Sequence, residues 1–201
     1  MSDLWLGALT EECIRRALMQ AGKRSYEETP NGVRRAAVLL PMFRANEEWH
    51  LLYIRRSEHL QDHRGQVAFP GGGQEARDQS LQETALREAE EEIGVHPADV
   101  RLLGSMDEFL TISNFLVTPF VGVIPWPYGL RISQDEVAQV FHVPLRWLDA
   151  PGNFSIRPTE LRGQTMDVIY YEPYEGQILW GITALITVRL LKILRDFNHC
   201  D

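Results

Sequence analysis

The segment from Gly71 to Val95 constrains the fold of this 201-residue chain more than any other. It begins with three consecutive glycines, Gly71–Gly73, which allow the backbone to approach another group closely. From about Asp78 to Ile93, apolar residues recur every four positions, and Gly94 stands where a glycine commonly ends a helix. The segment therefore predicts a glycine-rich loop that leads into a helix with one apolar face.

The second half of this predicted helix is strongly acidic. Residues three and four positions apart are neighbours on a helix, so Glu88, Glu91 and Glu92 are expected to project together. Their mutual repulsion costs roughly a few tenths of a kcal/mol per pair in water, and a divalent cation would convert it into binding. Oxygen ligands favour Mg²⁺ or Mn²⁺. The alternative interpretation is a solvated helix face, with charge pairs that involve Arg87.

The remaining pattern predicts a mixed β-sheet with helices packed on it, because strands and helices are intermixed without regular alternation. Thr10 is a candidate N-cap for an amphipathic helix, and a polar run from Arg44 to Glu48 is typical of a hairpin connection. The predicted elements are helices at about 10–22 and 180–197, strands at 36–41, 49–54, 100–103 and 115–124, and a proline-punctuated stretch at 125–151.

Charge and hydropathy limit the partners of the chain. The 20 basic and 28 acidic residues give a net charge of −8, which disfavours nucleic acid and anionic membrane surfaces. The apolar stretch at 178–188 is shorter than the roughly 20 residues that a membrane span needs. No basic segment followed by an apolar one begins the sequence. We therefore expect a cytoplasmic protein with no nucleic-acid or membrane partner.

Residues Arg87 to Val95 resemble the core of the Nudix box, R-E-U-x-E-E-x-G-U, in which U is apolar. The box would span residues 72–95, and Gly73 matches its glycine fourteen positions before the arginine. The box commonly has a glutamate eight positions before the arginine, where this chain has Gln79, and Asp78 stands one position earlier. By these residues the chain resembles Nudix hydrolases.

The segment before the box resembles the signature of coenzyme A pyrophosphatases, and shorter similarities extend from Val38 to Leu190. One position departs from that signature: Gln61 replaces an arginine, and a neutral amide binds phosphate less strongly than a guanidinium. Arg55, Arg56 and Arg64 are candidates to compensate. The substrate-binding residues implied by the resemblance are Arg56, Ser57, Gln61, His63, Gly65, Phe69, Gly71 and Gly72.

The resemblance implies a single α+β domain over residues 1–201, with a mixed sheet sandwiched between helices. It also implies hydrolysis of coenzyme A or its derivatives to 3′,5′-ADP and phosphopantetheine or acyl-phosphopantetheine, with Mg²⁺ or Mn²⁺. Glu88 and Glu92 would be the main metal ligands, completed by Glu91 and the Gly72 carbonyl. Arg87 would orient a carboxylate. Glu91 and Glu136 both remain candidates for the general base.

The sequence is also compatible with two other functions. Gln61 leaves room for a broader nucleoside-diphosphate hydrolase that acts on ADP-ribose or a dinucleotide. A Nudix-like domain can also be a ligand sensor without turnover, but such domains usually lose box carboxylates, and this chain keeps all three. In either case we expect a small-molecule ligand bound by a monomer or a homodimer.

Overall fold

The fold is that of a computed structural model, which describes residues 4–22, 29, 31–60, 63–161 and 163–197. Strands and helices are intermixed along the chain, and a short 3-10 helix occupies Pro97–Asp99. The strands are β1 (Arg34–Ala45), β2 (Glu48–Arg56), β3 (Val67–Ala68), β4 (Gly71–Gly73), β5 (Arg101–Ser105), β6 (Phe109–Leu110), β7 (Phe115–Val123), β8 (Val137–Pro144), β9 (Phe154–Leu161) and β10 (Gln164–Tyr171). The α-helices are α1 (Leu4–Gly7), α2 (Glu11–Gln20), α3 (Leu81–Ile93), α4 (Leu145–Asp149) and α5 (Gly181–Asp196).

The long strand β1 organises an eight-stranded mixed sheet, whose central order is β3-β2-β1-β7-β5. Its second half pairs antiparallel with β2 across a tight turn at Asn46 and Glu47, both of which have positive φ. Its first half pairs antiparallel with the glycine strand β4, and its whole length up to Met42 pairs in parallel with β7. Strand β8 adds to β2, and β6 adds to β7. The α+β class with a mixed sheet is confirmed.

Side chains alternate along β1, so its apolar residues lie on both faces of the sheet, and helices cover both faces. Ala37 and Leu39 pack against Ala85 and Ala89 of α3 on one face. Leu40 and Met42 belong to the larger core on the opposite face, which includes residues of α2, α4 and α5. Small alanine side chains let α3 lie close to the sheet, next to β4.

The ends of the helices follow local capping. Thr10 accepts a hydrogen bond from the Cys13 backbone N–H, so the helix predicted at about 10–22 begins at Glu11. Helix α3 begins at Leu81 rather than near Asp78, because Ser80 caps it and Asp78 holds the preceding loop instead. Gly94 ends it in a left-handed conformation, with φ +71°.

Two regions differ from the sequence-based expectation. The stretch at 125–151 contains strand β8 and helix α4, and β9 with β10 forms a separate two-stranded sheet that the sequence analysis did not predict. Pro144 is tolerated because it is the last residue of β8 and stands immediately before α4, at the N-cap position. Among the described residues, no helix combines the length and apolar character that crossing a membrane requires.

Candidate active site

The end of α3 lies against the glycine strand, and two glutamates face it. The Gly71 backbone N–H donates a hydrogen bond to Glu92 Oε2 at 2.9 Å. A Cβ at residue 72 would lie 2.5 Å from the carboxylate of Glu88. Glycine at position 72 therefore leaves the space that the Glu88 carboxylate occupies.

Arg87 connects this helix to the loop before it. Its Nε and Nη2 donate to the two oxygens of Asp78 at 2.9 and 3.0 Å, in a bidentate pair. Its Nη1 donates to Glu88 and to Glu91, each at 2.8 Å. Nη2 also contacts the Gly73 carbonyl oxygen at 3.2 Å. The guanidinium fixes the orientation of Glu88 while it anchors the loop.

Burial sets the electrostatics of the two inward-facing glutamates. Desolvation raises the pKa of Glu92 to about 8, and the nearby charges of Glu88 and Glu136 add to the rise. The Gly71 N–H and the Arg56 charge act in the opposite direction. Desolvation also raises the pKa of Glu88 above its ordinary value, against the effect of Arg87. Two carboxylates are thus held in a poorly solvated place where a cation would stabilise their charged forms.

The candidate base residues differ in their surroundings. Glu91 is tied on both oxygens, to Arg77 Nη2 at 2.9 Å and to Arg87 Nη1 at 2.8 Å. Glu136 is exposed, and its charge lies near enough to raise the pKa of both Glu88 and Glu92. The fold therefore brings Glu136, from the loop before β8, to the carboxylates of α3.

Among the residues predicted to bind substrate, Arg56 reaches the carboxylate cluster. Its Nη1 lies 3.7 Å from Glu92 Oε1. Its Nε is buried and has no hydrogen-bond partner among the described residues, and the same is true of the neighbouring Arg55. A buried guanidinium N–H without an acceptor is costly, and an anionic oxygen that reached either nitrogen would accept its hydrogen bond and remove this cost.

The other residues of that predicted set have different positions. Ser57 is buried, and its Oγ accepts the His59 backbone N–H. Phe69 lies in the core against Tyr53 and does not present its ring to the carboxylates, because that core side of the sheet faces away from α3. His63 is exposed and pairs with Gln66, and Gly65 has positive φ beside Glu58. Gln61 lies outside the described residues.

The donor set fits a divalent cation, although no three His, Cys, Asp or Glu side chains in the described part of the chain already form a metal-binding group. Arg87 instead draws the carboxylates of Glu88 and Glu91 to itself. The available atoms are carboxylate and carbonyl oxygens, which Mg²⁺ and Mn²⁺ prefer. The buried carboxylate of Glu92 and the carboxylate of Glu88 beside Gly72 are the groups that a cation would use.

The sequence indicates no role for Asp78 and does not reveal two backbone contacts that hold the site. Asp78 is the main anchor of Arg87, and the pKa of its carboxyl is held well below the ordinary range by hydrogen bonds from that guanidinium. The Ser57 backbone N–H donates to the Glu136 carbonyl oxygen at 2.8 Å, and the Ser133 N–H donates to that of Glu92 at 3.0 Å. A backbone donor has no signature in side-chain chemistry, so sequence patterns could not identify these contacts.

Comparisons with known proteins agree with this geometry. The family model described as NUDIX domain matches residues 33–162. The chain is 42% identical over 166 residues to NudL, an uncharacterized Nudix hydrolase of Yersinia enterocolitica, covering 78% of this chain and 80% of that protein. It is 38% identical to NudL of Yersinia pestis, covering 96% of this chain and 98% of that protein.

One solved structure shows the same fold over most of the chain. It is a MutT/nudix family protein from Enterococcus faecalis, with a TM-score of 0.57 and 16% identity. The match covers 96% of this chain and 72% of that one. At this identity the likeness concerns the fold, and it extends beyond the residues that the family model matches.

Proposed function

This chain belongs to the Nudix hydrolase family, and on that premise we propose that it hydrolyses the diphosphate bond of coenzyme A or its derivatives. The products would be 3′,5′-ADP and phosphopantetheine or acyl-phosphopantetheine. The observation that carries the proposal is the convergence of Glu88 and Glu92 with Glu136 and Arg56 beside the glycine strand. Pyrophosphate hydrolysis is the activity of the family, and the choice of coenzyme A is the part that we propose.

Glu88 and Glu92 would hold Mg²⁺ or Mn²⁺, with the Gly72 carbonyl oxygen and Glu91 as further ligands. A bound divalent ion supplies charge stabilisation to phosphate oxygens and lowers the pKa of a coordinated water. Arg87 contributes by orienting Glu88, since its Nη1 contacts that carboxylate while Asp78 fixes the other side of the guanidinium.

We assign the general base to Glu136 rather than to Glu91. Both oxygens of Glu91 already accept hydrogen bonds from arginines. The Glu136 carboxylate is exposed and has no hydrogen bond to any described residue, so it is available to accept a proton from a water beside the carboxylates. This assignment divides the site into a cation-binding helix and a separate proton acceptor.

The two arginines at the end of β2 support a substrate with several phosphate groups. Arg55 and Arg56 each have a buried Nε without an acceptor among the described residues. Coenzyme A carries a diphosphate and a separate phosphate on its ribose, so it offers more anionic oxygens than ADP-ribose does. Phosphate oxygens satisfy guanidinium donors well. Arg55 and Arg56 would then compensate for the neutral amide of Gln61.

Product analysis tests the proposal directly. Purified protein with Mg²⁺, and separately with Mn²⁺, is mixed with coenzyme A, ADP-ribose and a diadenosine polyphosphate in parallel. We expect preferential release of 3′,5′-ADP from coenzyme A. Preferential cleavage of ADP-ribose or of the dinucleotide would overturn the substrate and keep the hydrolase, whereas no turnover of any of the three would favour the ligand-sensor alternative.

A matched pair of variants tests the carboxylate assignment. Glu88→Gln should lower kcat by about 10²-fold or more, because it removes a charge from the group that holds the cation. Glu90→Gln makes the same chemical change on the exposed side of α3 and should stay within about threefold of the unaltered protein. Activity of Glu88→Gln above roughly a tenth of the original would exclude this role.

A further inference from the structure

We propose that Gly94 is a positioning residue: because it lacks a side chain, the segment Arg131–Ser133 can dock on the end of α3 and hold Glu136 opposite Glu88 and Glu92. This inference rests on the proposed function, since it takes Glu136 as the general base. It assigns to Gly94 a role beyond ending the helix.

The space around Gly94 is filled by the backbone of a distant segment. Gly94 has φ +71°, and a Cβ there would lie 2.7 Å from Arg131 Cβ, 2.9 Å from Arg131 N and 3.0 Å from Arg131 O. Backbone atoms cannot rotate away as the end of a flexible side chain can. Any side chain at residue 94 therefore has to displace the segment itself.

Hydrogen bonds fix this segment to the helix end. The Arg131 N–H donates to the Ile93 carbonyl oxygen, and the Ser133 N–H donates to that of Glu92, both at 3.0 Å. The last carbonyl groups of a helix have no partner within the helix. The docked segment supplies two such partners, so a displacement at Gly94 breaks contacts to the residue that carries the buried carboxylate.

The same segment continues to Glu136 through further backbone contacts. The Ser133 carbonyl oxygen accepts the Glu136 N–H at 3.1 Å and the Val137 N–H at 2.8 Å. On its other side, the Glu136 carbonyl oxygen accepts the Ser57 N–H at 2.8 Å. The backbone of Glu136 is therefore held from α3 and from the end of β2, at a place from which its charge acts on both Glu88 and Glu92.

Ser57 takes part in this arrangement through its backbone N–H. The residue as a whole is 3% exposed, so it offers little surface to a ligand. Its N–H instead fixes the residue that we propose as the base. Ser57 is thus a second positioning residue on the opposite side of Glu136.

We expect Gly94→Ala to lower kcat because it displaces Glu136. A shift of the base by about 1 Å is expected to reduce kcat by roughly 10- to 100-fold. KM for coenzyme A should change by less than about threefold, since Arg55 and Arg56, which we propose as the phosphate-binding residues, lie outside the displaced segment. Gly22→Ala is the matched control, because Gly22 follows the end of α2 with φ +64° and nothing within 4 Å of its Cβ position.

A double-mutant cycle distinguishes positioning from a general loss of structure. Gly94→Ala, Glu136→Gln and the double variant are compared by kcat with Mg²⁺, and thermal denaturation verifies that each is folded. If Gly94 acts through Glu136, the double variant should lie within about threefold of Glu136→Gln alone, because the effects of residues acting as a unit do not add. Gly94→Asn is the second variant, since Asn tolerates positive φ and keeps the collision.

The outcomes separate the two proposals. Multiplicative losses in the double variant would overturn the positioning role of Gly94 while Glu136 remains the base. Full activity of Glu136→Gln would overturn the base assignment and the positioning role with it, whereas hydrolysis of coenzyme A by the unaltered protein would still stand. Equal kcat for Gly94→Ala and Gly22→Ala would also contradict the inference.

Discussion

Adding one methyl group at residue 72 should slow turnover about 10²-fold and leave the fold intact. Gly72 lies in strand β4, and its Cβ position is 2.5 Å from Cδ and from Oε1 of Glu88 and 2.7 Å from Oε2. Its backbone conformation is not in the left-handed region, so alanine is compatible with the strand. The collision falls on the end of a flexible side chain, and we expect Glu88 to move while the strand stays.

The size of the effect follows from that distance. Non-bonded heavy atoms are comfortable at about 3.5–4.0 Å, so the carboxylate has to withdraw by roughly 1 Å from its present position. A misplacement of this size can cost about 10²-fold in rate, which corresponds to about 2.7 kcal/mol in the activation free energy. The stability of the protein should change by less than about 1 kcal/mol, because alanine also reduces the freedom of the unfolded chain.

The assay is kcat for the cleaved diphosphate at saturating Mg²⁺, together with urea denaturation of the same preparations. Gly73→Ala is the matched control, since its Cβ position is 3.9 Å from the nearest atom, Phe115 Cε1, an ordinary contact. We expect Gly72→Ala to be at least about tenfold slower than Gly73→Ala at comparable stability. If both variants turn over equally, the reasoning that Gly72 makes room for Glu88 is wrong.

Two further expectations concern stability. Asp78→Asn should lower the free energy of unfolding by about 2–3 kcal/mol, because it breaks the largely buried bidentate pair with Arg87, whereas the exposed Asp167→Asn should change it by less than about 0.5 kcal/mol. Because Arg87 depresses the pKa of Asp78, this stabilisation is present above the unfolded pKa and fades as the pH falls below about 4; a pH-independent difference would contradict it. Burial lowers the pKa of both His50 and His142, whose Nδ1 atoms are 3.0 Å apart, so their contribution is present above about pH 6.5 and is lost as the pH falls further. Denaturation of His142→Gln between about pH 7 and 5 should therefore show a shallower loss than the unaltered protein, and identical slopes would refute this.

Most of the sheet and the acidic helix could be predicted from the sequence because burial imposes a pattern on them. The apolar residues of β1 and β2 are continuous because helices or other core segments cover their side chains. The hairpin of β9 and β10 has no such pattern, since most of its residues are exposed. Strand β8 was not predicted because prolines flank it in the sequence, although Pro144 occupies only its last position.

In the candidate site, too, only the residues that follow a regular pattern could be predicted from the sequence. The positions of Glu88 and Glu92 relative to each other follow from the helical repeat alone. The partner of Arg87 could not be predicted from the helical repeat, because the box has a glutamate where this chain has Gln79. Only the folded loop shows that Asp78 accepts hydrogen bonds from both Nε and Nη2 of Arg87. A loop carboxylate is placed by tertiary contacts, which no periodicity encodes.

The role of Glu136 is even harder to predict from the sequence than that of Asp78. Nothing near it in the sequence distinguishes it from the exposed acid beside it, Asp135. What separates the two is backbone geometry, since the chain at Glu136 is hydrogen-bonded to Ser57 on one side and to Ser133 on the other. The docking that permits this depends on Gly94, whose missing side chain is the one part of the arrangement that the sequence does display. A glycine that ends a helix therefore has two requirements here, positive φ and close approach of another backbone, and only the second links α3 to the segment that continues to Glu136.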